Sequence, residues 1–175
     1  STSPKLTDEG GWNVARVCGR DDAQGRVAGG FLAKNYAGKK VAIVDDKSAY
    51  GKGLADETRK AMNAAGLTEA VSESINPGEK DYSALVSKLK DAGVEAVYFG
   101  GYHPEAGLIL KQMGEQGLGA KMLSGDSMNS AELWTIAGKA AENLIFTFAP
   151  EPRNVPEAKA IVDEFKKSGY DPEGY

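Results

Sequence analysis

Apolar residues fall along the chain in two alternating spacings. Compact runs rich in β-branched and aromatic residues occur at residues 40–44 (KVAIV), 70–75, 94–99 (VEAVYF), 121–123 and 143–148 (NLIFTF), and these predict strands. Between them the apolar positions recur at helical spacing. Val27, Phe31 and Leu32 are expected to share one face of a helix that Asp21 or Asp22 caps and that ends near Gly38. Leu54, Thr58, Ala61, Met62 and Ala65 form a core-facing stripe in a helix running to about Gly66. Asp81 caps a third helix, in which Tyr82, Leu85, Val86 and Leu89 follow the i, i+3, i+4, i+7 pattern and Gly93 supplies the stop. Leu108, Leu110 and Met113 mark a fourth and residues 131–137 a fifth. A last helix opens at Pro156 with Ile161, Val162 and Phe165 on one side. Val14, Arg16 and Cys18 predict one further short strand near the start.

Strand alternating with helix in this way implies an α/β fold, a three-layer parallel sheet with helices on both faces. The run at residues 94–99 reads as its central strand. It stops at Gly100-Gly101, and a helix follows in which Pro104 suits the first turn and Glu105 complements the positive end of the helix dipole. The Tyr102-His103 pair between them is therefore expected at the carboxyl edge of the sheet, where open parallel sheets bind ligands. The Pro-rich stretch 149–156 is the expected hinge or domain crossing, with residues 19–22 a weaker one.

Composition narrows the chemistry more than the fold. With 175 residues, 41% hydrophobic and 26% charged, the chain has the makeup of an ordinary globular domain. It holds no run of transmembrane length and no signal peptide. A net charge of −4 with scattered lysines argues against nucleic acid as a partner. One cysteine, Cys18, precludes an intrachain disulfide or a cysteine-rich zinc site, and one histidine, His103, leaves few reagents for catalysis. A Cys18/His103 nucleophile pair has no local sequence support. Neither a metal nor a cofactor is expected.

Three strand-to-helix loops should lie side by side, at residues 45–51, 100–104 and 124–129. Their standout residues are Tyr50, Tyr102 and Asp126. Two tyrosines offer apolar faces with polar tips, and one carboxylate can pair with an ammonium, so the set suits a small amphipathic cation such as an amino acid. Taken singly, each tyrosine reads equally well as surface packing and the aspartate as a helix cap. The Asp45-Asp46 pair resembles that of a phosphoacceptor receiver domain. That chemistry needs a further Asp after the central strand, where this chain has Gly100-Gly101. No G-x-G-x-x-G and no Walker loop is present.

The stretches CGRDDAQG (18–25), VAIVDDKSAYGKGLADE (41–57), GEKDYSALVSKLKDAGVEAVYFGGYHPEAG (78–107) and IVDEFKKSGYDPEG (161–174) together resemble the periplasmic leucine/isoleucine/valine-binding proteins of ABC transporters, in that family's order and spacing. The resemblance implies one lobe of a two-lobed fold that closes on an amino acid and delivers it to a membrane permease, in the periplasm and without catalysis. It implies that residues 1–18 are a remnant of the first lobe or its crossover, residues 19–149 the second ligand-binding lobe, and residues 150–175 a hinge and a helix returning toward the first lobe. Thr2 matches a first-lobe threonine that binds the ligand's α-amino and carboxylate groups. Tyr50 and Tyr102 match the tyrosines that close over the ligand. Asp126 stands where the best-known members carry a glutamate for the ammonium, and the shorter side chain leaves the identity of the amino acid open. Related modules serve as sensory or regulatory domains, the alternative to transport. A single lobe has half a site and is expected to bind amino acids weakly.

Overall fold

The computed structural model describes residues 2–170; Ser1 and the DPEG end of the last resembling stretch lie outside the described residues. The elements in chain order are α1 (Lys5–Asp8), α2 (Asp21–Asn35), β1 (Val41–Asp45), α3 (Ala49–Ala64), β2 (Val71–Ser74), α4 (Ser83–Asp91), β3 (Ala96–Gly100), α5 (His103–Glu115), β4 (Lys121–Ser124), α6 (Ala131–Ala137), β5 (Leu144–Phe146) and α7 (Lys159–Lys167). The five strands form one sheet in the order β2-β1-β3-β4-β5, parallel throughout. Its register sets Asp45 level with Gly100 and Ser124 level with Phe146. The predicted α/β architecture is therefore present, with β1 and β3 buried along their whole length as the middle strands.

Because side chains alternate across a strand, the sheet feeds two cores. Ala42, Val44, Val97, Phe99 and Met122 face α4, α5 and α6. Val41, Ile43, Tyr98 and Leu123 face α2 and α3. The first core is filled by large side chains, among them Leu89, Ile109, Leu110 and Leu133. The second is built differently, by close approach of backbones. A Cβ on Gly25 would lie 2.6 Å from the Glu57 side chain and 2.9 Å from the Thr58 nitrogen, and one on Gly29 would lie 2.7 Å from the Met62 nitrogen and the Thr58 carbonyl.

This packing corrects the expected face of α2. Its buried positions are Asp21, Gly25, Ala28, Gly29 and Leu32, whereas Val27 is 65% exposed and Phe31 37%. Small residues let the helix lie close to α3, and the larger apolar ones are displaced to its flank. There Val27 and Phe31, with Ile145, Phe146 and Phe148, line an apolar groove of about 580 Å³ between α2 and the edge strand β5. The cap of α2 also differs from expectation. Arg20 occupies the N-cap position, and Asp21 and Asp22 both lie inside the first turn.

Elsewhere the departures are at edges. The strand expected at Val14, Arg16 and Cys18 does not form, because no neighbouring strand is there to pair with it. The segment is tethered instead through Arg16 Nη2, which donates to the Ser3 carbonyl at 2.8 Å and to Thr7 Oγ1 at 2.6 Å. Helix α3 ends at Ala64, leaving Ala65 exposed and outside the stripe. Strand β5 is only three residues long. In α7 Val162 is buried while Ile161 and Phe165 stay exposed, and its strongest contacts are with the two short 3-10 turns that precede it.

Candidate functional site

In a 2-1-3-4-5 sheet the chain reverses direction of travel between β1 and β3, which opens a crevice at the carboxyl ends of those two strands. The segments leaving β1 and β3 carry Tyr50, in the first turn of α3, and Tyr102, at the N-cap of α5. Three devices hold these loops in place. The Asp46 N–H donates to the Gly100 carbonyl at 3.0 Å. Asp46 Oδ1 accepts from the Ser48 N–H at 2.9 Å and from the Ser48 hydroxyl at 2.6 Å, and Ser48 Oγ in turn caps α3 by accepting from the Gly51 N–H at 2.9 Å. Gly51 and Gly100 then meet backbone to backbone, since a Cβ on Gly100 would lie 2.1 Å from the Gly51 carbonyl oxygen. No other residue fits at that crossing.

The third loop is stitched to the first two. Ser127 Oγ donates to the Gly101 carbonyl at 2.7 Å, and Ser124 Oγ to the Phe99 carbonyl at 2.7 Å. The Tyr50 hydroxyl donates to Asp126 Oδ1 at 2.7 Å, with Ser127 Oγ at 3.2 Å. Burial, opposed by hydrogen bonding from Ser127 and reinforced by the Asp126 carboxylate, holds the Tyr50 phenol far above its ordinary range, so it stays a neutral donor. The Tyr50 and Tyr102 rings are 5.2 Å apart with planes inclined at 38°. Tyr102 is 46% exposed, and burial, with the nearby charges of Asp46, Asp21 and Asp126, raises its phenol too.

Tyr50, Tyr102 and Asp126 thus come together at the switch point. Thr2 is joined to them at one remove: it is buried, and its carbonyl accepts from the Asp21 N–H at 3.0 Å. Asp21 and Gln24 are the two residues of the cluster that reading from the sequence missed. Gln24 Oε1 accepts from the Asp126 N–H at 3.2 Å and from Thr147 Oγ1 at 2.7 Å, while its Nε2 donates to Asp21 Oδ1 at 3.4 Å. The signal was the polar knot before α2, but only the fold shows that the first turn of α2 opens on the same sheet edge.

The pair Asp45-Asp46 shapes the turn, with Asp46 Oδ2 left buried and without a hydrogen-bond partner among the described residues. Asp45 Oδ1 accepts from the Lys47 N–H and its Oδ2 from the Ser74 hydroxyl, each at 2.9 Å. His103 Nε2 lies 3.0 Å from Glu132 Oε2, linking the starts of α5 and α6. Among the described residues no group of three His, Cys, Asp or Glu side chains is arranged to hold a metal ion. What the cluster offers is an aromatic wall, a neutral phenol donor and buried carboxyl groups. Such groups have the chemistry to hold a cation with an apolar body.

The architecture and loop cluster define an open parallel α/β domain with its ligand-type crevice at the β1/β3 switch point. The chain belongs to the periplasmic binding protein family, whose model matches residues 2–173. It is 51% identical over 175 residues to the Leu/Ile/Val-binding protein homolog 1 of Brucella melitensis, covering all of this chain and 47% of that protein. It is 46% identical over 177 residues to the amino acid binding protein of Pseudomonas aeruginosa, again covering all of this chain and 47% of the relative. The crystal structure of a leucine binding protein from Thermotoga maritima superposes with a TM-score of 0.78 at 32% identity, over 91% of this chain and 47% of that one. The substrate binding protein of a branched-chain amino acid transporter from Streptococcus pneumoniae, solved with isoleucine, gives 0.73 at 27% identity, over 88% of this chain and 45% of that one. The chain spans about half the length of the curated relatives it matches.

Proposed function

We propose that this chain is one ligand-facing lobe of a two-lobed solute-binding protein. The protein captures an amino acid, branched-chain by kinship, for delivery to an ABC permease, and it works in the periplasm or outside the cell without a catalytic step. Residues 19–149 form the lobe, with residues 1–18 and 150–175 as its connections to the other. The observation that carries the reading is the Tyr50–Asp126 hydrogen bond beneath the Tyr102 ring, at the one place in the sheet where a crevice must open. Asp126 receives the ligand's ammonium, Tyr50 orients that carboxylate, and the two rings cover the ligand's apolar part. Thr2 brings the connection from the other lobe to the same point.

A panel of amino acids tested by thermal shift on the two-lobed protein checks this, because a ligand that binds only the native state raises stability by RT ln(1 + [L]/Kd). Leucine, isoleucine or valine should raise the melting temperature. Asp126→Ala should weaken their binding by roughly 1.5–3 kcal/mol, the scale of a charged hydrogen bond. A flat panel overturns the reading, and an unchanged affinity in Asp126→Ala removes that residue from the site.

A further inference from the structure

The three segments that carry Tyr50, Tyr102 and Asp126 meet at one hydroxyl. Ser127 follows Asp126 in the third loop and is half-buried, while Asp126 and Met128 on either side of it are buried. Its Oγ donates to the Gly101 carbonyl at 2.7 Å, one residue before Tyr102, and the Tyr50 hydroxyl lies 3.2 Å from the same oxygen. A serine hydroxyl has one proton and two lone pairs. The proton goes to Gly101, so toward Tyr50 the oxygen accepts.

Both ends of this link rest on closely packed backbone. A Cβ on Gly101 would lie 2.5 Å from the Phe99 ring and 3.1 Å from the Asp46 carboxyl carbon. One on Gly125 would lie 2.4 Å from Leu54 Cδ2 and 2.9 Å from the Tyr50 hydroxyl, and the Asp126 N–H is held by Gln24 Oε1 at 3.2 Å. The rings above are held less equally. Tyr50 has its own bond to Asp126 Oδ1 at 2.7 Å, whereas Tyr102 is the more exposed of the two and leans on Tyr50 at 5.2 Å between ring centroids. The tie from Ser127 reaches Tyr102 through the residue beside it.

An ammonium is the same in every amino acid, so telling one amino acid from another falls to the apolar wall that the rings make. A single methylene gives about 10–200-fold discrimination, and a wall that shifts to suit each side chain forfeits it. We propose, on the amino-acid reading above, that Ser127 is the positioning residue of this wall. By holding the Gly101 carbonyl it fixes the Tyr102 ring against Tyr50 and Asp126, and so sets how sharply the site separates side chains that differ by a methylene, such as valine from leucine or isoleucine. Its action runs through Tyr102 rather than through contact with the ligand.

Calorimetric titration of the two-lobed protein with leucine, isoleucine and valine tests this. Ser127→Ala should weaken the preferred amino acid about tenfold, the scale of one lost hydrogen bond, and bring the three affinities about threefold closer together. Ser127→Thr, which keeps the hydroxyl, should restore both. In a Tyr102→Ala background most of the effect of Ser127→Ala on the ratio should be absent, because the ring it positions is gone. If the alanine variant fails to fold, Ser127→Cys, whose thiol is a weak donor, takes its place. Unmodified affinities in Ser127→Ala overturn the proposal. So does a loss shared equally by the three amino acids, which a mere staple of the fold would give, or a change of ratio that persists undiminished without Tyr102. Equal binding of the three by the unmodified protein overturns the specificity role and leaves the amino-acid site intact. No binding of any of them overturns the reading beneath it.

Discussion

The two faces of the sheet are held by opposite means. Beneath α4, α5 and α6 the core is made by filling volume with Val86, Leu89, Ile109, Leu110, Met113 and Leu133. Beneath α2 and α3 it is made by removing volume, with Gly25 against Glu57 and Thr58 and Gly29 against Ala61 and Met62. The difference reaches the site. The paired positions advance together along the two helices, so α2 and α3 run in the same direction and begin at the same edge of the sheet. That register brings Asp21, at the start of α2, into the cluster around Tyr50, at the start of α3. The filled face supplies stability, and the thinned face sets where the first turn of α2 meets the site.

The comparison can be broken by substitutions that act oppositely on the two faces, each read from the midpoint of denaturant unfolding. Ile109→Ala, which empties part of the filled face, should cost about 2–5 kcal/mol. A loss below about 1 kcal/mol would mean that this core collapses freely around the gap. Gly29→Ala adds a single methyl to the thinned face and should cost about 1–3 kcal/mol, because it meets the Met62 nitrogen, the Thr58 carbonyl oxygen and the Ala61 Cβ, none of which can swing aside. The sign is the test, since the same change within an unpacked helix stabilises. Gly30→Ala sharpens it. Nothing lies within 4 Å of a Cβ at Gly30, so this neighbour should gain about 0.5–1 kcal/mol from the better helix propensity of alanine. Equal effects at Gly29 and Gly30 would remove close approach as the organising feature of that face.

The filled face was legible in the sequence and the thinned one was not, for the same reason. Apolar periodicity reports side chains that occupy space, and Val86, Leu89, Leu110 and Met113 announce their buried positions by it. A glycine that is buried because nothing else fits leaves no hydrophobic signal. The apolar spacing in α2 therefore marks Val27, Phe31 and Leu32, of which Leu32 is buried and the other two flank the contact. Strand edges failed for a different reason. Val14, Arg16 and Cys18 have strand-like spacing, but a strand needs a partner, and no strand of the sheet lies beside them. In the site, Tyr50, Tyr102 and Asp126 could be picked out because strand-to-helix loops of a parallel sheet share one edge. Asp21 and Gln24 precede the first strand and fell outside that rule.

By itself the sequence determined the alternation of strand and helix, the parallel sheet that follows from it, and the three loops that share the carboxyl edge. Each depends on local spacing or on connections too short to run otherwise. Only the tertiary structure decided which acid of the Asp21-Asp22 pair is buried, which helix face of α2 packs, and that Gln24 joins Asp21 to Asp126. Those outcomes depend on residues brought together from distant parts of the chain, Gly25 against Glu57 and Gln24 against Asp126. A carboxyl group's charge is set by what surrounds it, and its surroundings exist only once the chain has folded.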